Sequence, residues 1–164
     1  MVAKVLMVDY LNPQHAADMV FLLDSYACDP MGGEKPLSQE VKSSLVGELA
    51  KIPHAFSVIC YIAGEPAGLV NCFETFSTFN CKPLVNIHDV IVIKAFRKQN
   101  ISQLMLDKVE QVEQVAKAKG CCKLTLEVLE GNTVAQNSYF KFGFAGYELD
   151  SKMGNAMFWQ KALY

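Results

Sequence analysis

The sequence predicts an α/β (α+β) domain: a mixed, mostly antiparallel sheet of about six to seven strands with about four helices on both faces. Three observations lead there. Short runs rich in β-formers alternate with stretches of helical period. Residues 55–63 turn through Gly64-Glu65-Pro66 onto residues 67–76, a hairpin signal. Further on, an apolar run at 90–93, a basic loop and an amphipathic stretch at 101–119 follow one another as strand, loop and helix.

The elements follow in order. Residues 4–8 read as a first strand. Asn12 is placed to cap a helix with Pro13 at its first position, where a missing N–H costs nothing. His15 falls in the first turn of that helix and reads as a solvated surface residue. Residues 29–36, with two glycines and two prolines, form the most loop-like stretch. Ser38 caps a second helix carrying Val41, Leu45, Val46 and Leu49, which ends before Pro53. The hairpin follows, and residues 80–83 break it from a strand over 84–93. The helix over 101–119 mixes Leu104, Met105, Val109 and Val112 with charged residues, as on a helix covering a sheet face, and Gly120 ends it. Residues 122–129 alternate as a strand, Asn132 caps a helix over 133–141, and Gly143 stops it. Residues 144–149 and 156–163 read as a last strand pair.

The chain has 164 residues, which suits one domain over 1–164, and its 51% hydrophobic content supplies a core. The net charge of -2 argues against a nucleic-acid partner. No apolar run approaches the ~20 residues that span a bilayer. The first nine residues meet an acid after one short apolar run, so they read as a strand and not as a signal peptide. Cys28, Cys60, Cys72, Cys81, Cys121 and Cys122 show no CxxC spacing and no cluster with histidine, which points away from a metal site and toward reduced thiols in the cytoplasm. An exposed edge in the last hairpin offers a surface for a homodimer.

Two segments carry the chemistry. The first is Phe96-Arg97-Lys98-Gln99-Asn100-Ile101-Ser102, a basic pair at the N-terminus of a helix. The first-turn N–H groups there lack partners within the helix and carry partial positive charge, which suits a phosphate, though an ordinary solvated loop would read the same way. The second runs from Leu124 to Phe144, where Asn132, Ala135, Tyr139, Gly143 and Phe144 stand at fixed spacing across strand, helix and strand. Those five places resemble the GNAT superfamily of acyl-CoA-dependent N-acyltransferases, whose pattern they fill, and the resemblance covers at least residues 90–144. In the first segment the family expects Arg/Gln-x-x-Gly-x-Gly/Ala; Arg97 fits, while Asn100 and Ser102 stand in the glycine places. Asn best tolerates positive φ among non-glycine residues and Ser is small, so the loop keeps a route to closing around phosphate.

The resemblance implies a GNAT-like fold and acetyl transfer from acetyl-CoA, as co-substrate, to a primary amine of a small molecule or a peptide or protein. It implies CoA binding by Ile91, Val92 and Ile93 through their main chain, by the loop of Arg97, Lys98, Gln99, Asn100, Ile101 and Ser102, and by Asn132 and Tyr139. Tyr139 stands at the family's acid position, and a phenol with an unperturbed pKa of ~10 is protonated at neutral pH. For the base, Glu127 lies twelve residues before Tyr139, a spacing similar to the Glu–Tyr pair of ribosomal-protein alanine acetyltransferases. His88 is the second choice, with Asp89 beside it; strand alternation sends those two to opposite faces. Asp29, Glu34 and Asp150 are available to an acidic pocket for a cationic acceptor. The alternative is a catalytically weak or inactive CoA-binding module with the same fold, suggested by the missing loop glycines. A cysteine hydrolase has little support, since no histidine shows a recognisable relation to a cysteine.

Overall fold

The computed structural model describes residues 3–97 and 116–163. The expected helix over 101–119 therefore lies outside the described residues except for its helical end at 116–118. The chain falls into two compact units, residues 1–126 and residues 127–164.

The first unit runs β1 (Ala3–Met7), α1 (Pro13–Ala27), α2 (Gln39–Leu49), β2 (Ala55–Ile62), β3 (Glu65–Ser77), β4 (Lys82–Val92), a 3-10 turn at Lys94–Phe96, and β5 (Leu124–Leu126). The sheet order is β1-β2-β3-β4-β5. The first three pairings are antiparallel and β4–β5 is parallel. Both helix starts follow the expected chemistry. The Asn12 side chain accepts from the Gln14 and His15 N–H groups, and Ser38 Oγ from that of Val41, satisfying donors that have no partner within the helix. His15 is not merely solvated: its Nδ1 accepts the Asp9 N–H at 3.0 Å, tying β1's exit to α1.

The core sits where α1 and α2 cover one sheet face. Met19, Leu22, Val46 and Leu49 from the helices pack with Ile59, Leu69 and Ile91 from β2, β3 and β4. The other face buries Val58, Cys60, Val70, Cys72, Val85 and Ile87. Ala116 is buried as well, and Lys119 pairs with Glu74 at 3.0 Å and lies over the Phe56 ring.

Two details of the sheet set up the site. Asn71 pairs with Asp89 but Cys72 pairs with Ile87, so His88 is an extra residue, a β-bulge in β4. Cross-strand partners share a face, so Ile87 goes with Cys72 and Asp89 with Asn71, on opposite sides of the sheet. Simple alternation therefore breaks at His88: Ile87 and Asp89, two residues apart, lie on opposite faces where a regular strand would put them on one. Second, β5 is shorter than the expected 122–129 and pairs only with Val85–Ile87. Past Ile87, the edge of β4 away from β3 has no strand partner among the described residues.

In the second unit α3 (Thr133–Lys141) begins as expected at Asn132, whose side chain accepts the Ala135 N–H. Gly143 ends it at φ +86°, the left-handed conformation that a helix stop favours and glycine adopts without a Cβ penalty. The last strand pair needs correction. In place of strands over 144–149 and 156–163 stands one isolated bridge, Glu148 to Asn155, beside the bond from the Ala156 N–H to Tyr147 O at 2.8 Å. Gly146 interrupts the first of those stretches, and glycine in a strand interior weakens it. Among the described residues the sheet thus has five strands where six to seven were expected. Among them, too, no helix is long and apolar enough to cross a membrane.

Candidate active site

A cavity of about 320 Å³ opens between the end of α1 and the end of β4. Ser25, Tyr26, Cys28, Asp29 and Pro30 form one wall, and Ile91, Val92, Ile93, Lys94 and Arg97 the other. The α1 wall is shaped by a tight turn. Asp29 Oδ1 accepts the Met31 N–H at 3.1 Å, and its main-chain carbonyl accepts those of Gly32 and Glu34. Gly32 is required there because a Cβ would stand 1.9 Å from Tyr26 O. The β4 wall is strand main chain whose outer edge is free of β5.

Arg97 joins the two walls. Its Nε donates to Val92 O at 2.8 Å, and its Nη1 to Asp29 Oδ2 at 2.7 Å. The Asp29 side chain is 14% exposed and that of Arg97 41%. The Met31 N–H, with Arg97 behind it, holds the Asp29 carboxyl below the usual carboxylate range against the opposing effect of burial. Burial pushes the Tyr26 hydroxyl up, and the charges of Asp89 and Asp29 push the same way.

A chain of polar side chains crosses three strands, β2, β3 and β4. The Tyr10 hydroxyl bonds Ser57 Oγ at 2.9 Å, Ser57 Oγ donates to Asn71 Oδ1 at 2.6 Å, and Asn71 Nδ2 donates to Asp89 Oδ2 at 2.9 Å. Ser57 and Asn71 are 1% and 4% exposed, so each must find partners inside the protein. Because the Ser57 hydrogen is spent on Asn71, Tyr10 is the donor at its end, and every bond in the chain points its hydrogen toward Asp89. Close by, burial and then the Asp89 charge push the Cys72 thiol up to about 12, so Cys72 stays a neutral hydrophobe.

The sequence-predicted residues distribute as follows. Ile91 is buried, Val92 and Ile93 are half-buried, and all three line the cavity with Arg97. Lys98, Gln99, Asn100, Ile101 and Ser102 lie outside the described residues. His88 is exposed at the bulge, its ring edge-on to Phe73 at 5.6 Å, while Asp89 is half-buried at the end of the polar chain. Glu127, Asn132 and Tyr139 belong to the second unit. There Glu127 is exposed, Asn132 caps α3, and the half-buried Tyr139 ring meets Phe144 edge-on at 6.0 Å. Sequence reasoning missed the Tyr10–Ser57–Asn71 chain; the signal was there, since Ser57 and Asn71 are the polar residues in otherwise apolar strand runs. Among the described residues, no group of three or more His, Cys, Asp or Glu side chains is placed to hold a metal ion.

A model of the acetyltransferase (GNAT) family matches residues 20–144. No curated protein matches the sequence. The chain is similar in structure to AAC(6')-Iy in complex with the bisubstrate analogue CoA-S-monomethyl-acetylneamine, with TM-score 0.74, 17% identity, and 99% of each chain covered. It is similar to the aminoglycoside acetyltransferase HMB0005 from an uncultured soil metagenomic sample, with TM-score 0.68, 18% identity, and 92% of this chain and 96% of that one covered. It is also similar to the ribosomal-protein-alanine N-acetyltransferase of Brucella melitensis biovar Abortus 2308, with TM-score 0.64, 13% identity, and 99% and 98% covered. At these identities the likeness shows the fold.

Proposed function

The chain belongs to the GNAT acetyltransferase family, and on that premise we propose that it moves an acetyl group from acetyl-CoA to a primary amine by direct transfer while both are bound. The observation that carries the reading is the outer edge of β4, which beyond Ile87 has no strand partner among the described residues and runs into the cavity wall at Ile91 and Val92. Exposed strand main chain of this kind accepts an extended partner by strand-like hydrogen bonding, which suits the amide-bearing arm of CoA. Arg97, on the same wall, supplies a cation for its phosphates. The match of the family model, residues 20–144, runs from the first unit into the second, in keeping with a single N-acetyltransferase-like domain.

In the reaction the amine nitrogen forms a bond to the thioester carbonyl carbon, the C–S bond breaks, and the thiolate leaves. The protein's part is to hold the two reactants in register and to move two protons. Tyr139 gives its proton to the leaving thiolate. Glu127, or His88 at the bulge, takes the proton of the acceptor's ammonium. Asn132 fixes the start of the helix that carries Tyr139. The acceptor is a small amine or a peptide or protein amine, and the protein works in the cytoplasm.

Acetyl-CoA titrated into the protein by calorimetry tests this, followed by a screen of amines with a thiol-release readout. Binding together with amine-dependent thiol release is expected. No heat at millimolar acetyl-CoA overturns the reading. Binding without release for any amine class favours a CoA-binding module that does no chemistry, the second reading that Asn100 and Ser102 in the glycine places motivate.

A further inference from the structure

We propose that Asp29 is the residue that receives the acceptor's ammonium group, and that Arg97 covers it until the phosphates of CoA draw Arg97 away. The proposal rests on the acetyl-transfer reading above and adds to it a residue for the acceptor and an order of events.

Arg97 makes two bonds, and both use groups that the reaction needs. Val92 O is a main-chain acceptor on the part of β4 whose outer edge has no strand partner among the described residues, where a strand-like ligand would bind. Asp29 Oδ2 is the carboxylate oxygen on the opposite wall of the same cavity. One guanidinium therefore bridges the cofactor wall and the α1 wall, and stands where neither substrate can share its partners. Asp29 is largely covered and already a strong acceptor, fixed by the Met31 N–H on its other oxygen. A carboxylate on a cavity wall favours a cation as its partner, and because the Arg97 side chain is 41% exposed that partner is one another cation can replace. The guanidinium marks a cation site inside the cavity, and a primary ammonium is the cation that an N-acetyltransferase must bring there.

The exchange follows from charge. A pyrophosphate carries more negative charge than one carboxylate and takes a guanidinium with two parallel hydrogen bonds. When CoA draws off Arg97, Val92 O is freed for the ligand and Asp29 for the ammonium. Lys94 lines the same cavity and lies close enough to help hold the Asp29 charge in the interval. Cofactor and acceptor then bind in that order, through a competition between two anions for one arginine.

The test is a calorimetric comparison of CoA binding by the full chain and its variants. Asp29→Asn keeps the oxygen that accepts the Met31 N–H, so the turn survives, but it no longer holds Arg97 by charge. The variant should bind CoA about two- to fivefold more tightly than wild type, the gain expected when a partly exposed ion pair stops competing, and the gain should shrink at high salt. Arg97→Ala should bind CoA more weakly, and adding Asp29→Asn to it should change nothing further. In thiol release with the best amine of the screen, Asp29→Asn should raise KM at least about tenfold with kcat little changed. Unchanged or weaker CoA binding by Asp29→Asn overturns the exchange, as does tightening that persists in the Arg97→Ala background. Tighter CoA with an unchanged amine KM removes Asp29 as the acceptor residue. Asp29→Ser, which also keeps an acceptor oxygen for Met31, repeats each comparison if the asparagine variant folds poorly. If wild type itself binds no CoA, the acetyl-transfer reading fails first, and that result is distinct from all of these.

Discussion

Tyr61→Phe isolates one buried charge. Asp18 lies in α1 at 8% exposure, and its two oxygens take one side-chain donor each: Gln14 Nε2 at 2.9 Å and the Tyr61 hydroxyl at 2.7 Å. The substitution keeps the ring and removes only the hydroxyl, so the loss is that of one hydrogen bond to a charged group. Such bonds contribute about 1.5–3 kcal/mol, and the lower half of that range applies because Tyr61 is half-buried and Gln14 remains. For a chain of this length each kcal/mol moves Tm by roughly 2–4 °C, so a fall of about 3–8 °C is expected. The effect also has a pH signature. Burial, then donation to Asp18 and the charge of Asp18, push the Tyr61 hydroxyl well above its ordinary range. In the unfolded chain this phenol ionises near pH ~10, whereas in the folded protein it does not. Its contribution is therefore complete below pH ~10 and declines as the pH rises above that, because the unfolded state alone releases the proton. Urea unfolding of wild type and Tyr61→Phe from pH 7 to 11 reads both effects. The gap between the two should be constant to pH ~10 and then narrow. A gap under about 0.5 kcal/mol at neutral pH, or one that widens in alkali, would refute the account of Asp18 as a charge held by Tyr61.

Three further outcomes can be measured, the second of them resting on the proposed acetyl transfer. Asn71→Ala strips Ser57 of its acceptor and Asp89 of its donor, so it should cost about 2–4 kcal/mol in denaturant unfolding, and adding Ser57→Ala should cost clearly less than it does in wild type. Tyr139→Phe should leave acetyl-CoA affinity within about twofold while lowering kcat by about a hundredfold or more, and an unchanged kcat removes Tyr139 as the acid. Asn132→Ala loses the cap of α3 and should destabilise by about 1 kcal/mol, seen as a small fall in Tm with a proportionate loss of helical signal.

Much of this architecture could be read from residue types, because it depends on local chemistry. Asn12-Pro13, Ser38, Asn132 and Gly143 start or stop helices through bonds to their own immediate neighbours, and each does so at the expected place. The hairpin at Gly64-Glu65 was legible for the same reason. What could not be read depends on partners distant in sequence. The bulge at His88 arises from the register of β4 on β3, and nothing within residues 84–93 announces it. The Arg97–Asp29 pair joins positions 68 apart, so an arginine expected to meet phosphate gives no sign in the sequence of a carboxylate partner. The polar chain was half visible: Ser57 and Asn71 interrupt apolar strands, but only cross-strand pairing shows that they lie opposite each other and end on Asp89. The expected last strand pair differs for the same reason: apolar runs either side of turn residues at 150–154 make, among the described residues, one bridge.

The bulge in β4 has a consequence for changes in chain length. His88 is a spare residue: Ile87 and Asp89 already pair with consecutive positions of β3. Deleting His88 would join them directly and leave every other partner and every face as it is. Deleting a residue earlier in the strand would instead absorb the spare. Everything between would slide by one place, and His88 would be driven into the buried position of Ile87. A shortened β4 should therefore survive at one site and fail at its neighbours. The surviving form would keep its core while losing the bulge and the His88 side chain, so folding and the proposed activity would be separated by a single codon.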